Sequence, residues 1–259
     1  MIKLRHILFA AICIPILALL IWLFAVPENL LQEKLEGAIS GSGPANVTGR
    51  MKGFRKGIFF SVYSDNLELS VDGVPALTIT ELKGTFDPHY IFQMKAALSV
   101  KGKIGAGDIN GLLISPAEAE IRVHEAEISA IPYLSRLGIK SKGYASADIS
   151  IKDSGAHITF QIPDLAITES STLIPFIETF HKTQGVLSIT GNTVSLESVG
   201  IEGDKGYARL KGDITNRVMD LNLELMPEMG KLTSLESMLI VKYMVSPGYY
   251  VIPVKGPVM

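Results

Sequence analysis

Residues 208 to 228 read ARLKGDITNRVMDLNLELMPE, and the period of their apolar side chains decides the fold. Leu210, Gly212 and Ile214 alternate with Arg209, Lys211 and Asp213. After Thr215-Asn216-Arg217, Leu221, Leu223 and Leu225 alternate with Asn222 and Glu224. A period of two sends successive side chains to opposite faces of a strand. The stretch is therefore an antiparallel hairpin whose dry face carries Leu210, Ile214, Leu221, Leu223 and Leu225. Arg209, Lys211, Asn222 and Glu224 keep the other face wet, and Gly212 leaves a gap in the dry one, for close packing or for a bend.

The same period runs outward in both directions. Leu67, Leu69 and Val71 alternate with Glu68 and Ser70, and Ile121 and Val123 with Arg122 and His124. Ala147, Ile149 and Ile151, then Ile158, Phe160 and Ile162, then Val194 and Leu196 continue it. Turn signals separate these runs at Asp72-Gly73, Ser154-Gly155, Gly191-Asn192 and Gly203 to Gly206. Connections this short favour a meander over strand-helix-strand units. The expected fold class is mainly β: a single N-terminal transmembrane helix, then a long antiparallel, curved β-meander with two or three short helices. One helix is expected at 172–184, with Leu173, Ile174, Phe176, Ile177 and Phe180 at helical spacing. Another runs from about Leu232 to Val245, opened by the capping-box spacing Thr233-Ser234-Leu235-Glu236, with an apolar face of Leu235, Met238, Leu239 and Tyr243. The first divides the β region 45–259 into two sheet portions, 45–169 and 185–259.

Ile7 to Val26 is an uncharged apolar run that includes Leu17, Leu20 and Trp22, about as long as a bilayer-crossing helix requires. It is longer than the apolar core of a secretory signal, and Ala25-Val26-Pro27-Glu28 is a poor cleavage site, so a retained anchor is expected. Lys3 and Arg5 precede the run, and Glu28, Glu33 and Glu36 are among the charges that follow it. The positive-inside bias then leaves residues 1–27 as cytoplasmic terminus and anchor, with the bulk of the chain across the membrane. Residues 28–44 form a juxtamembrane helix and linker, with Leu30, Leu31, Leu35 and Ile39 at helical spacing.

Charge and composition exclude several functions. The 259 residues carry a formal net charge of −2, and no basic stripe with interleaved aromatics suggests nucleic acid. Cys13 is the sole cysteine and lies in the apolar run, so disulfides and thiolate metal sites are excluded beyond it. His89, His124, His157 and His181 lack partners at metal-motif spacing, and no Gly-x-Ser-x-Gly occurs. The paired carboxylates Glu125 with Glu127 and Glu202 with Asp204 stand at strand spacing on a wet face, where solvation explains them. No cofactor, metal or catalytic residue is expected, and the chain reads as a non-enzyme.

Two stretches carry more than their period: LKGDITNRVMDLNLELMPE, residues 210 to 228, and the ending YYVIPVKGPV, residues 249 to 258. With the basic N-terminus, single apolar run and β meander, they resemble the N component of the type II secretion system, the GspN family, itself similar to AsmA-like envelope proteins. Gly212, Leu221, Leu223, Leu225, Pro227, Pro253, Gly256 and Pro257 are the matching positions. The resemblance implies a single-pass protein of the bacterial inner membrane with a periplasmic β domain. It further implies an accessory or scaffold part in protein export, partnered by other secretion-system subunits. The alternative is an AsmA-like carrier of lipid or another hydrophobic ligand. Two short helices cannot cover a sheet of ten or more strands, so its dry face either curls on itself or stays partly open.

Overall fold

The computed structural model describes residues 13, 16–41, 47–71, 73–87, 90, 95, 97–114, 118–132, 139–152, 155–170 and 176–257. Its helices are α1 (Ile16–Ala25), α2 (Glu28–Gly41) and α3 (Ser234–Ile240). Its strands are β1 (Val47–Lys52), β2 (Arg55–Lys56), β3 (Ser61–Val71), β4 (Val74–Phe86), β5 (Ala97–Ile104), β6 (Gly107–Ile114), β7 (Glu118–Glu127), β8 (Ile139–Lys142) and β9 (Tyr144–Lys152). They continue as β10 (Gly155–Ile162), β11 (Ala166–Ser170), β12 (Phe180–Thr190), β13 (Thr193–Gly203), β14 (Gly206–Thr215), β15 (Val218–Pro227), β16 (Met244–Ser246) and β17 (Tyr249–Pro257).

The chain is mainly β, built on one large antiparallel sheet. The ladder runs β1-β3-β4-β5-β6-β7-β9-β10-β12-β13-β14-β15-β17-β16, with β2 paired to β3 as a side branch. β8 and β11 form a separate two-stranded ribbon. Nearly every neighbour in space is a neighbour in sequence, as the short turns require. The opening hairpin is β14 and β15, with Leu210 opposite Leu223 and Gly212 opposite Leu221. Asn216 and Arg217 turn it with φ of 50° and 65°, the left-handed pair that suits a two-residue hairpin loop. Gly212 has φ +128°, and a Cβ there would lie 2.3 Å from the Asp220 carbonyl oxygen. The gap in the dry face is thus a close backbone approach, sited where β13 bulges between Leu196 and Val199.

Both expected helices of the β region require correction. The helix at 172–184 is absent where that range is described: Ile177–Thr179 is a single 3₁₀ turn, and Phe180 already begins β12. Phe176, Ile177 and Phe180 look helical because the turn places them on one side, but Thr183, Gly185, Leu187 and Ile189 keep period two and pair with β10. A ready strand partner outweighs local helical spacing. The β10–β12 ladder also runs straight through the expected break between sheet portions.

The second helix starts as read, with Thr233 and Glu236 closing a capping box, but α3 ends at Ile240. A 3₁₀ turn follows at Val241–Tyr243, and Met244–Ser246 pairs with β17. The face assigned to it is wrong too: Leu235, Met238 and Leu239 are exposed, and Ile240 is the buried residue.

The anchor expected over residues 7 to 26 is described only in part, and Lys3, Arg5 and Ile7 lie outside the described residues. α1 widens into a π-helix over Ile21–Ala25 and meets α2 at 90° across Val26-Pro27. Among the described residues no single helix is long and apolar enough to cross a membrane, while α1 and α2 together pass that test as a bent pair. Leu17 and Leu20 are exposed and Val26 is half-buried. Trp22 is buried: its Nε1 donates to Gly57 O at 2.9 Å, and its ring lies against Phe60 and Phe86. Lys56 Nζ donates to Leu23 O and Val26 O, capping the end of α1 and fixing the bend.

Candidate functional site

The strand registers align the dry-face side chains into rungs that cross the sheet. An outer rung runs Phe86, Leu98, Leu113, Ala119, Ile151, Ala156, Ile189, Val194, Ile214, Met219 and Gly256, each opposite the next. The next rung inward runs Val100, Gly111, Ile121, Ile149, Ile158, Leu187, Leu196, Gly212, Leu221 and Val254. Beyond it lie Ile109, Val123, Ala147, Phe160, Gly185, Val199, Leu210, Leu223 and Ile252. The innermost rung includes Thr183, Ile201, Ala208, Leu225 and Tyr250.

Burial rises from rung to rung. On the innermost rung Thr183, Ala208, Leu225 and Tyr250 are buried and Ile201 is half-buried. On the outer rung Leu113 is exposed, Ala119 is buried and every other member is only half-buried. The cause is what lies on top. α2 sets Leu35 and Ile39 on a cluster of Met51, Leu67, Ile79, Leu82, Ile104, Ile109 and Ala126. At the other end Phe176, Ile177, Leu232 and Tyr243 pack on Phe180, Ala208, Leu223, Leu225, Ile240 and Tyr250. Both lids serve the inner strand ends, and the apolar outer rung is left incompletely covered.

The residues assigned to the groove or core face therefore separate. Leu221, Leu223 and Leu225 are buried, whereas Leu210 and Ile214 are half-buried, with Ile214 on the outer rung. Of the positions carrying the family resemblance, Pro227 ends β15 and is buried. Pro253 and Pro257 sit in β17, whose outer side is paired among the described residues only by the short β16 at Tyr249 and Tyr250. A strand with so little outer partner tolerates residues that donate no hydrogen bond. Gly256 takes φ +142°, with nothing within 4 Å of where a Cβ would stand.

One edge of the sheet is closed by side chains of α2. Along β1, Met51 N–H donates to Glu36 Oε1 at 2.7 Å, Gly49 N–H donates to Ser40 Oγ at 3.4 Å, and Gln32 Nε2 donates to Met51 O at 3.0 Å. Side chains of α2 thus satisfy the groups a further strand would need. The opposite edge is the three-residue β16 at Tyr249 and Tyr250 and, beyond it, the outer side of β17, where Pro253 and Pro257 donate no hydrogen bond.

The wet face holds cross-strand ion pairs, including Lys52–Glu68, Arg122–Asp148, Lys182–Glu202 and Lys255–Asp220, all well exposed and worth little individually. An open groove of about 640 Å³ crosses it, lined by Arg122, His124, Asp148, Thr159, Gln161, Gln184 and Tyr207 among others. His124, His157 and His181 are exposed, and no cluster of metal-ligating side chains occurs among the described residues. His181 is a strand residue 3.6 Å from Asp204, not a residue of a helix.

Glu224 departs from the wet-face reading, being 5% exposed. Lys211 Nζ pairs with it, Arg209 Nε is 3.8 Å away, and Tyr249 hydrogen-bonds to it. The Lys211 hydrogen bond holds the Glu224 carboxyl below its ordinary range against the opposing effect of burial. Burial first, then the Glu224 contact, pushes the Tyr249 hydroxyl up. A lowered carboxylate pKa contributes stability above the unfolded value and loses it as pH falls through the folded one. Glu224→Gln is expected to cost about 1.5–3 kcal/mol at neutral pH, the worth of hydrogen bonds to a charged group. Denaturant titrations across the acid range should show the gap from the parent closing as Glu224 protonates; a constant gap would assign the loss to packing.

The fold and face define a class: an antiparallel β protein dominated by one large sheet with a continuous apolar face, lidded at the inner strand ends and open along its outer rung. No protein-family model, no curated protein and no solved structure matches the chain.

Proposed function

We propose that the chain is a non-enzymatic protein of the bacterial inner membrane that holds the apolar part of a lipid against the outer rungs of its sheet, on the periplasmic side. The observation that carries this reading is the burial gradient across an otherwise uniformly apolar face. Ile151, Ile189, Val194, Ile214 and Met219 leave apolar surface in water, and covering such surface with an acyl chain is favourable at roughly 25 cal/mol per Å². The open rung begins at Phe86, which touches Trp22 of α1, so an apolar path leads from the proposed anchor onto the sheet. The resemblance to AsmA-like envelope proteins supports the same reading.

A second reading, an accessory scaffold subunit of the type II secretion pathway, draws on a different surface. Leu235, Met238, Leu239, Val241, Met244 and Val245 are exposed together at the far end of the chain, an apolar patch suited to a partner subunit. Strand addition at an edge is the less favoured route, because α2 side chains cap β1 and Pro253 and Pro257 interrupt the open side of β17. A photo-crosslinker placed in turn at Ile189 and at Met238 tests the two readings: lipid captured at the first supports carriage, and a secretion-system subunit captured at the second supports the scaffold.

A further inference from the structure

The loop between β2 and β3, Gly57-Ile58-Phe59-Phe60-Ser61, is built against local preference. Phe59 and Phe60 take φ of 55° and 56°, consecutive left-handed conformations that aromatic residues rarely adopt. The surroundings hold them there. Gly57 N–H donates to Ser61 O at 2.8 Å, Ser61 Oγ donates to Ile58 O at 2.5 Å, and Phe86 N–H donates to Phe60 O at 3.0 Å. Trp22 Nε1 donates to the Gly57 carbonyl, and the Trp22 ring packs on Phe60.

This conformation turns Phe60 inward and Ile58 and Phe59 out. Ile58 is 59% exposed and Phe59 is 72% exposed. A soluble surface gains nothing from strain that displays a phenylalanine to water. The neighbour explains the display: α1 has Ile16, Leu17, Leu20, Ile21 and Phe24 exposed, Phe24 at 84%. Helix and turn are joined through the buried Trp22, so the exposed side chains of both are carried by one packed unit. Tyr63, with Lys83 Nζ 5.7 Å from its ring centroid, and Arg55, paired with Asp65, lie on the strands leading away from the turn. Tyrosine and charged side chains beside an inserted turn are what a lipid headgroup layer accommodates.

We propose that the Ile58-Phe59 turn is a second membrane contact, a wedge that enters the lipid interface beside α1 and holds the open outer rung toward the bilayer. The inference rests on the reading of α1 as part of a membrane anchor. The occupant is the lipid surface into which that anchor inserts.

Site-directed fluorescence tests it, because Cys13 is the only cysteine and can be replaced. In a Cys13→Ser background, which leaves Trp22 in place, Phe59→Cys reports the turn and Phe24→Cys reports the helix, each labelled with a nitrobenzoxadiazole fluorophore. Each full chain is reconstituted into phosphatidylcholine vesicles with and without a nitroxide on the upper acyl carbons. The wedge predicts a several-fold loss of emission for both probes in nitroxide vesicles, with blue-shifted spectra. Quenching of the Phe24→Cys probe alone overturns the wedge and leaves the anchor standing. Quenching of neither overturns both. Ile58→Cys, measured alongside, guards against a local distortion at Phe59 and must follow the same pattern.

Discussion

Leu225→Ala should cost about 3–5 kcal/mol of folding free energy, and Leu225→Asp should leave no folded protein to titrate. Leu225 is 0% exposed, enclosed by Phe180, Ala208, Leu223, Ile240 and Tyr250. An alanine leaves a cavity walled by β-strand backbone that cannot collapse into it, and a carboxylate would have no partner among those apolar side chains. The check is denaturant unfolding of the full chain in mild detergent, with the slope unchanged for the alanine variant. A loss below about 1 kcal/mol would mean that the inner rung is not the closed core described, since that is the range of surface substitutions.

The opposite outcome is expected on the outer rung. Ile189→Asp combined with Ile214→Asp should leave the fold intact, with stability changed by no more than about 1 kcal/mol. Both side chains are half-buried and already meet water at the open rim. Uptake of a fluorescent phospholipid from donor vesicles should nevertheless fall by about tenfold or more, equivalent to 1.4 kcal/mol lost from an apolar contact that now includes two charges. His157→Asp serves as the control, because His157 is exposed on the wet face beside Ile158. If the double variant takes up lipid as the parent does, the outer rung is not where lipid lies.

Much of this architecture could be read from period alone. Alternation assigns Ile121, Val123, Ala147, Ile149, Ile158, Phe160, Val194 and Leu196 to a single face, and the registers bring all of them together there. Gly191-Asn192 and Gly203 to Gly206 turn where glycine allows it, between paired Thr190 and Thr193 and between paired Gly203 and Gly206. Thr233 caps α3 as its spacing with Glu236 requires.

Depth was not legible, and the reason is physical. Ile189 and Leu225 obey the same alternation, yet one is half-buried and the other sealed, because burial depends on what packs above the strand. The lids come from Leu35 and Ile39 on α2 and from Phe176, Ile177, Leu232 and Tyr243, which lie outside the strands they cover, so alternation along a strand carries no sign of them. The misassigned helix at 172–184 has the same origin, since β10 supplies pairing that a local window does not contain. Glu224 reads as solvated until Lys211, Arg209 and Tyr249 close over it. The Phe59-Phe60 turn runs against backbone preference altogether, so only its surroundings make it possible.

The central claim is that one apolar face is closed at its inner strand ends and serves lipid at its outer ones. The most direct measurement places a photo-crosslinking side chain, one position at a time, at Leu225, Ile189, Ile214 and His157 of the full chain in living bacterial cells. Lipid should be captured at Ile189 and Ile214, and neither at the buried Leu225 nor at the wet-face His157. Equal capture at Ile189 and His157, or none at Ile189 and Ile214, would contradict it.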